Sequence, residues 1–519
     1  MNFIGLFYLL LAHYFSGKGF IRLFRLDLKP MVNFCLSLIT GVVLLSFVPC
    51  ILQLTIAHNP ITASNVTIGI AVFTVIFSLP LFFPFRRPQF HQFKLPEIYE
   101  WPFLLVTAAL VVLSVWRCFY FPPFARDMLT GPELLAEYAV RDKTMLSSVF
   151  NIDLGFKKID VGGIQEVSLN ESANNNIFKS SYIIGLQIMY KLLVQPFGQL
   201  WMSVLYIPFL MLVYQMLVER IHRFLAGLLL FVFVITPDLY AYSYVMLYDY
   251  SNMIFFFFGY FYLMKFLEND KFNYLLWAGT LFGFATFIRG ETLILLMFVA
   301  PLMLFHYYKK HTPFKTWAIQ MIVFFSLSFV FYVITVDVFL VHFVPYKASV
   351  GSLLNKNLWD VSEIWRRMQE INDRLVFGKM GEGSYGYFLY FFCIILFIDL
   401  IIRLGWKAPF NREALLFLYG VGVVYFGLSF MGYIIPANTL ENTTKRGLFK
   451  AMPLILFYMA NSIFLQKISH MLSRDRTQKP VVKPVLRPAP RPAQGAPAQA
   501  RPAAKSPAKQ AQRPPVKGK

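Results

Sequence analysis

Between residues 236 and 295 the chain reads TPDLYAYSYVMLYDYSNMIFFFFGYFYLMKFLENDKFNYLLWAGTLFGFATFIRGETLIL. An apolar run is followed by a short polar link with Glu268, Asp270 and Lys271, then by a second apolar run. Two hydrophobic helices joined by that link bring their far ends to one membrane face. Asp249 sits at the far end of the first run, and Arg289 and Glu291 at the far end of the second. Ionisable groups beside hydrocarbon are costly unless they pair or serve a site. The spacing leaves two readings open: a structural Asp–Arg pair that pins the helices, or one wall of an active site.

The remainder of the chain follows the same pattern. Its residues are 57% hydrophobic, 18% aromatic and only 14% charged, with mean hydropathy +0.56. Soluble domains rarely reach that apolar fraction, so the expectation is an all-α polytopic membrane protein. The net charge of +21 does not argue for a nucleic-acid partner, because residues 474–519 hold twelve Lys/Arg against one Asp and so carry about half of it. Cys35, Cys50, Cys118 and Cys393 lie inside apolar runs without CxxC or nearby His, as small core residues do.

Residues 1–20 lack the basic start and cleavage site of a signal peptide and read as a short or tilted span. Runs at 31–54, 66–85 and 101–121 are each long enough to cross about 30 Å of hydrocarbon. Lys18, Arg22, Arg25 and Lys29 mark the first loop and Arg86, Arg87 and Lys94 the third, while the second has no Lys or Arg. Positive loops stay inside, so the polar segment 122–180 lies outside. Treating 181–197 as a helix on the outer interface keeps the later basic clusters inside, from Arg220/Arg223 to Arg403/Lys407/Arg412. The count becomes about thirteen spans. Four regions follow: N-terminal helices (1–121), an external loop with interfacial helix (122–198), a transmembrane core (199–468) with external loops at 345–383 and 436–450, and a basic Pro/Ala-rich tail (469–519). The tail has no apolar period. It reads as disordered, cytoplasmic and able to touch anionic lipids.

Polar density collects on the outer face. Asp127 follows the third run closely; Glu133 and Glu137 share a helix face, and Glu137 has Arg141 as an i,i+4 partner. Lys179 precedes the interfacial helix, and Lys445, Arg446 and Lys450 stand just outside the final span, against the positive-inside trend. An anionic ligand at the outer leaflet would account for them.

Four segments in order then carry a resemblance: the loop opening at Asp127, KSSYIIGLQIMYKLLVQPFG, Tyr248-Asp249 followed by Gly279, Gly283 and Arg289, and Arg446-Gly-Leu-Phe-Lys-Ala-Met-Pro453. The chain resembles the GT-C superfamily of polyprenyl-phosphate-sugar glycosyltransferases, in its protein-mannosyltransferase and aminoarabinose-transferase branch. It differs in having Ser180 and Ser181 where that branch has prolines, in lacking an acidic pair in the first loop, and in carrying extra spans before it.

The resemblance implies a polyprenyl-phosphate-linked sugar donor and a glycan, lipid or protein acceptor. Asp127 would serve as general base. Arg289, Lys445, Arg446 and Lys179 would hold the leaving phosphate. Asp249, Glu291 and Glu133 would orient these groups or the substrate, and a single displacement would invert the anomeric centre. No cofactor or metal is expected. No GxGxxG or GxxxxGK[ST] is present, which argues against a nucleotide-sugar donor. An O-antigen polymerase or ligase would place its largest external loop late, and a lipid-linked-glycan transporter would show repeats and mid-membrane charges. Three N-x-S/T sequons are no more than chance in this length and do not establish a eukaryotic origin; with no ER retention signal, a bacterial inner membrane with an external active site is the expected setting.

Overall fold

The structure, a computed structural model, describes residues 2–82, 97–120, 132–145, 158–161, 165–168, 180–195, 198–335, 338, 360–406, 411–435 and 440–477. Residues Met1–Ser473 form one compact unit. A second unit, Arg474–Lys519, is described only at 474–477, which are helical. The tail expected from residue 469 is thus helical as far as Thr477; the rest of it lies outside the described residues.

Helix dominates, because a chain this apolar must satisfy its backbone polar groups within each segment to sit in lipid. Nine described helices are long and apolar enough to cross a membrane, and a bent pair, Lys445–Asn461 with Ile463–Ser473, makes a tenth. The chain is a multi-pass membrane protein. In order, the first helices are α1 (Phe3–Leu23), α2 (Pro30–Leu45), α3 (Val48–Thr55), α4 (Ala63–Ser78) and α5 (Trp101–Tyr120). Between the first helices and the core come α6 (Pro132–Asp142) and α7 (Tyr182–Leu193). The core continues with α8 (Trp201–Val218), α9 (Arg223–Val234), α10 (Pro237–Ala241), α11 (Tyr248–Asn269), α12 (Phe272–Ile288), α13 (Thr292–Lys309) and α14 (Phe314–Val333). The last group is α15 (Ser362–Glu370), α16 (Lys379–Tyr385), α17 (Phe388–Trp406), α18 (Arg412–Ile434), α19 (Ala451–Asn461) and α20 (Ile463–Thr477).

One departure from an all-α chain is a short antiparallel hairpin, β1 (Lys158–Val161) with β2 (Gln165–Ser168), pairing Ile159 with Val167. The second departure concerns α7. It spans only twelve residues, about 18 Å, and does not cross. Yet it does not lie open on an interface, since every residue from Tyr182 to Tyr190 is buried. The reason is a cover: Leu134, Leu135 and Ala139 of α6 pack on Ile184 and Ile188 of α7, together with Cys50 and Ile61.

Between helices in lipid, burial of apolar surface supplies little drive, and close approach supplies dispersion instead. At the α1–α2 crossing a Cβ on Gly17 would lie 1.9 Å from the Ser37 carbonyl oxygen, and one on Gly41 would lie 1.8 Å from that of His13. No other residue fits there. Deeper in the core, Phe457 stacks on Phe257 and Phe417 at centroid distances of 5.2 and 5.5 Å.

Candidate functional site

The site begins with the antiparallel pair α11 and α12. Their two-residue turn, Asp270-Lys271, places Asp270 in the left-handed region (φ 55°) and accounts for a tight reversal. Antiparallel packing then sets the start of α11 beside the end of α12. Asp249 occupies the first turn of α11, where the positive end of the helix dipole favours a carboxylate. At Arg289 the backbone turns extended (φ −145°, ψ 114°) and α12 stops; after Gly290 and Glu291 the chain restarts as α13. Asn252 holds this break, its Nδ2 donating to Ala285 O at 2.6 Å and to Thr292 Oγ1 at 2.9 Å.

A continuous chain of ion pairs follows. Arg289 Nη1 donates to Asp249 Oδ1, and Arg289 Nη2 lies 2.9 Å from Glu291 Oε2. The other Glu291 oxygen, Oε1, accepts from Lys450 Nζ at 2.9 Å. Arg446 Nη1 stands 3.8 Å from Asp249 Oδ2. Next to it Lys445 Nζ lies 3.1 Å from Asp238 Oδ2, and the Tyr385 hydroxyl donates to the Lys445 carbonyl. Burial is graded along this chain. The Asp249 and Lys450 side chains are each 1% exposed, whereas Arg289, Lys445 and Asp238 are about a fifth exposed.

Several helix N-termini meet here. Glu291 precedes α13 and Lys450 precedes α19. The start of α7 joins them, because the Tyr248 hydroxyl donates to Ser180 O at 2.9 Å and the Tyr182 hydroxyl to Ser251 Oγ at 3.2 Å. Converging N-termini favour negative charge, and four cationic side chains, Arg289, Lys445, Arg446 and Lys450, stand in the cluster. Such an arrangement can hold an anionic group by charge-assisted hydrogen bonds in a site largely shielded from water.

Of the residues singled out in the sequence, Asp249, Arg289, Glu291 and Arg446 come together, with Lys445 adjoining. Asp127 and Lys179 lie outside the described residues. Glu133 is elsewhere: its Oε1 is 2.6 Å from Lys191 Nζ. Lys191 is nine residues beyond Tyr182, about 14 Å along α7 from the end that meets Tyr248. Burial pushes the Glu133 carboxyl pKa up against the opposing pull of Lys191, and Glu133 Oε2 is buried without a hydrogen-bond partner.

The expected Glu137–Arg141 pair is not formed. Glu137 instead meets Lys191 at 2.7 Å, while Arg141 bonds Asp142 at 2.9 Å and lies 3.9 Å from the Tyr138 ring centre. A partner on a facing, half-buried helix outweighs an exposed i,i+4 neighbour. Lys450, marked in the sequence only as a cation outside the final span, joins the cluster through Glu291; Asp238 and Asn252 were not assigned from the sequence. Of these, Asn252 had a visible signal, a second polar side chain in the first turn after Asp249.

Gly279 and Gly283, part of the resemblance, have a packing explanation. A Cβ on Gly283 would lie 2.6 Å from Leu327 O and 2.5 Å from the Phe331 ring, so the glycines seat α12 against α14. Among the described residues no group of three or more His, Cys, Asp or Glu is placed to hold a metal. Comparison with protein-family models, with curated proteins and with solved structures returns no match to this chain.

Proposed function

We propose that this protein is a GT-C-like glycosyltransferase that moves a sugar from a polyprenyl-phosphate donor to a lipid, glycan or protein acceptor on the outer face of a bacterial inner membrane. The observation that carries the proposal is the buried ion-pair chain Asp249–Arg289–Glu291–Lys450, with Arg446 beside it, collected from two distant parts of the sequence at one end of a helix bundle. Charges this costly to bury mark a site more often than a scaffold. Arg289, Arg446 and Lys445 hold the donor phosphate and stabilise the charge that grows on it as the glycosidic bond breaks. Asp249 and Glu291 fix the Arg289 fork. Asp127 takes the proton from the acceptor hydroxyl or amine as it attacks the anomeric carbon, and the configuration inverts.

The nine long described helices and the bent pair support a multi-pass core, and the order of the basic segments favours an external position for the cluster and a cytoplasmic position for the turn at Asp270. Direct contact between Arg289 and Asp249 also favours a second reading, in which Arg289 only clasps the two helices. Comparison of lipid-linked intermediates and surface glycans between a deletion strain and its parent tests the function. A glycan that loses one sugar while its polyprenyl-phosphate donor accumulates is the expected result. Unchanged glycans and unchanged donor pools would refute it.

A further inference from the structure

At the other end of α19 from Lys450 lies a second set of buried charges that the proposed chemistry does not use. Asp399 on α17 is fully buried, and its partner Arg403, one turn on, is 4% exposed. Arg403 Nε and Nη2 each donate to Asp399 Oδ2 at 3.1 Å. The Tyr458 hydroxyl of α19 donates to the same oxygen at 3.2 Å, and the backbone N–H of Ile463 donates to Oδ1 at 2.7 Å.

That last bond explains why the carboxylate is there. Between α19 and α20 the chain bends by 54°, with Ser462 extended (φ −66°, ψ 146°). A break inside a bundle frees amides and carbonyls that lipid cannot satisfy. Side chains satisfy them here: Asp399 takes the Ile463 amide, Ser462 Oγ takes the Leu465 amide at 3.3 Å, and Gln466 Nε2 serves the Ala460 carbonyl at 2.7 Å. Of these, Asp399 alone belongs to another helix, so it ties the break to α17.

The helix between the two charged ends is a strut. All eleven residues of α19 are buried, and its length is about 16 Å. Lys450 leads into its first turn and reaches Glu291; Asp399 receives its last turn and the first amide beyond the break. A close-packed helix transmits a shift at one end to the other, because its neighbours leave no room for it to deform. We infer that Asp399 is a positioning residue: by capping the break after α19 it fixes that helix along its axis and so seats Lys450 against Glu291 in the outer cluster. The inference rests on the proposed function only for the importance of that cluster. Its test reads Lys450 directly and does not depend on activity.

The test uses the full chain in lipid nanodiscs, a membrane-permeant amine-acylating reagent, and mass spectrometry of each lysine. In the wild type Lys450 is protected and Lys445, which is 21% exposed, is modified. Two double variants separate the cap from the charge without stranding Arg403. Asp399→Asn with Arg403→Met keeps an oxygen for the Ile463 amide and should leave Lys450 within about twofold of wild type. Asp399→Ala with Arg403→Met removes that oxygen and should raise Lys450 acylation about tenfold, the scale of one lost buried hydrogen bond. Lys191, held by Glu133 and Glu137, should not change. If the alanine double variant fails to fold, Tyr458→Phe removes a single bond to Asp399 and should raise Lys450 acylation by about threefold. Lys450 protection at the wild-type level in the alanine double variant or, where that variant does not fold, in Tyr458→Phe, or equal exposure in both double variants, would overturn the inference.

Discussion

The helix pair α11–α12 carries ion pairs at both of its ends, and they are built differently. At the turn, Asp270 meets Lys310 and His306 with Asp270 49% and Lys310 42% exposed. Water screens such pairs to about 0–1 kcal/mol. At the opposite end Asp249 and Lys450 are 1% exposed and every charge has a carboxylate or a cation within reach. Stranding one member of such a pair costs about 3–5 kcal/mol. The turn needs its charges only to end two helices in water. The other end keeps charges where apolar residues would pack more cheaply, and that asymmetry is the reason to place function there.

The sharpest way to break the comparison is topological, since the two ends should face opposite sides. The native cysteines leave little background: Cys35, Cys50 and Cys118 are buried and Cys393 half-buried. Glu441→Cys, at a side chain 56% exposed near the cluster end, should react with an impermeant thiol reagent in intact cells. Lys271→Cys, exposed at the turn, should react only after permeabilisation. The reverse pattern would put the cluster on the cytoplasmic side and remove the external-donor account.

Next in size is Arg289→Ala, which leaves Asp249 buried with only the more distant Arg446. A loss of about 3–5 kcal/mol is expected, read as a lower thermal midpoint in detergent; a loss no larger than that of an exposed pair would erase the distinction between the ends. Lys450→Met should cost less, about 2 kcal/mol, because Glu291 retains Arg289. Smallest is Asp270→Asn, at about 0.5 kcal/mol. Partial burial would raise the Asp270 pKa, but hydrogen bonds from Lys310 and His306 and the Lys310 charge hold it below the ordinary carboxylate range. A carboxyl depressed in the folded state stabilises above its unfolded pKa of about 3.9, and the benefit disappears as pH falls through the folded value. Wild-type stability should therefore decline slightly more than that of Asp270→Asn below about pH 4; identical acid profiles would contradict the pairing.

Much of this architecture was legible because hydropathy and charge order are properties of the line of residues. The link at Asp270 and Lys271 was enough to bring Asp249, Arg289 and Glu291 to one end, and the late basic segment was enough to mark Arg446. The same segment marked Lys450, but not what it pairs with. A lysine before an apolar run reads as a cation reaching for the interface, and its partner Glu291 is 159 residues away. The same long range hid the Asp238–Lys445 pair and the replacement of Arg141 by Lys191 beside Glu137. α7 was read as interfacial because periodicity records apolarity and not what covers it; its cover, α6, comes from forty residues upstream.

The central claim is that Arg289 serves a ligand and does not merely balance Asp249. The double variant Asp249→Ala with Arg289→Ala removes both charges and strands neither, so it should fold with a thermal midpoint above that of Arg289→Ala alone. The direct measurement is surface-glycan composition, with the donor pool, in a deletion strain complemented by this double variant at wild-type expression. The account predicts a folded protein that fails to restore the glycan and lets the polyprenyl-phosphate sugar accumulate. Full restoration of the glycan by the double variant would contradict it.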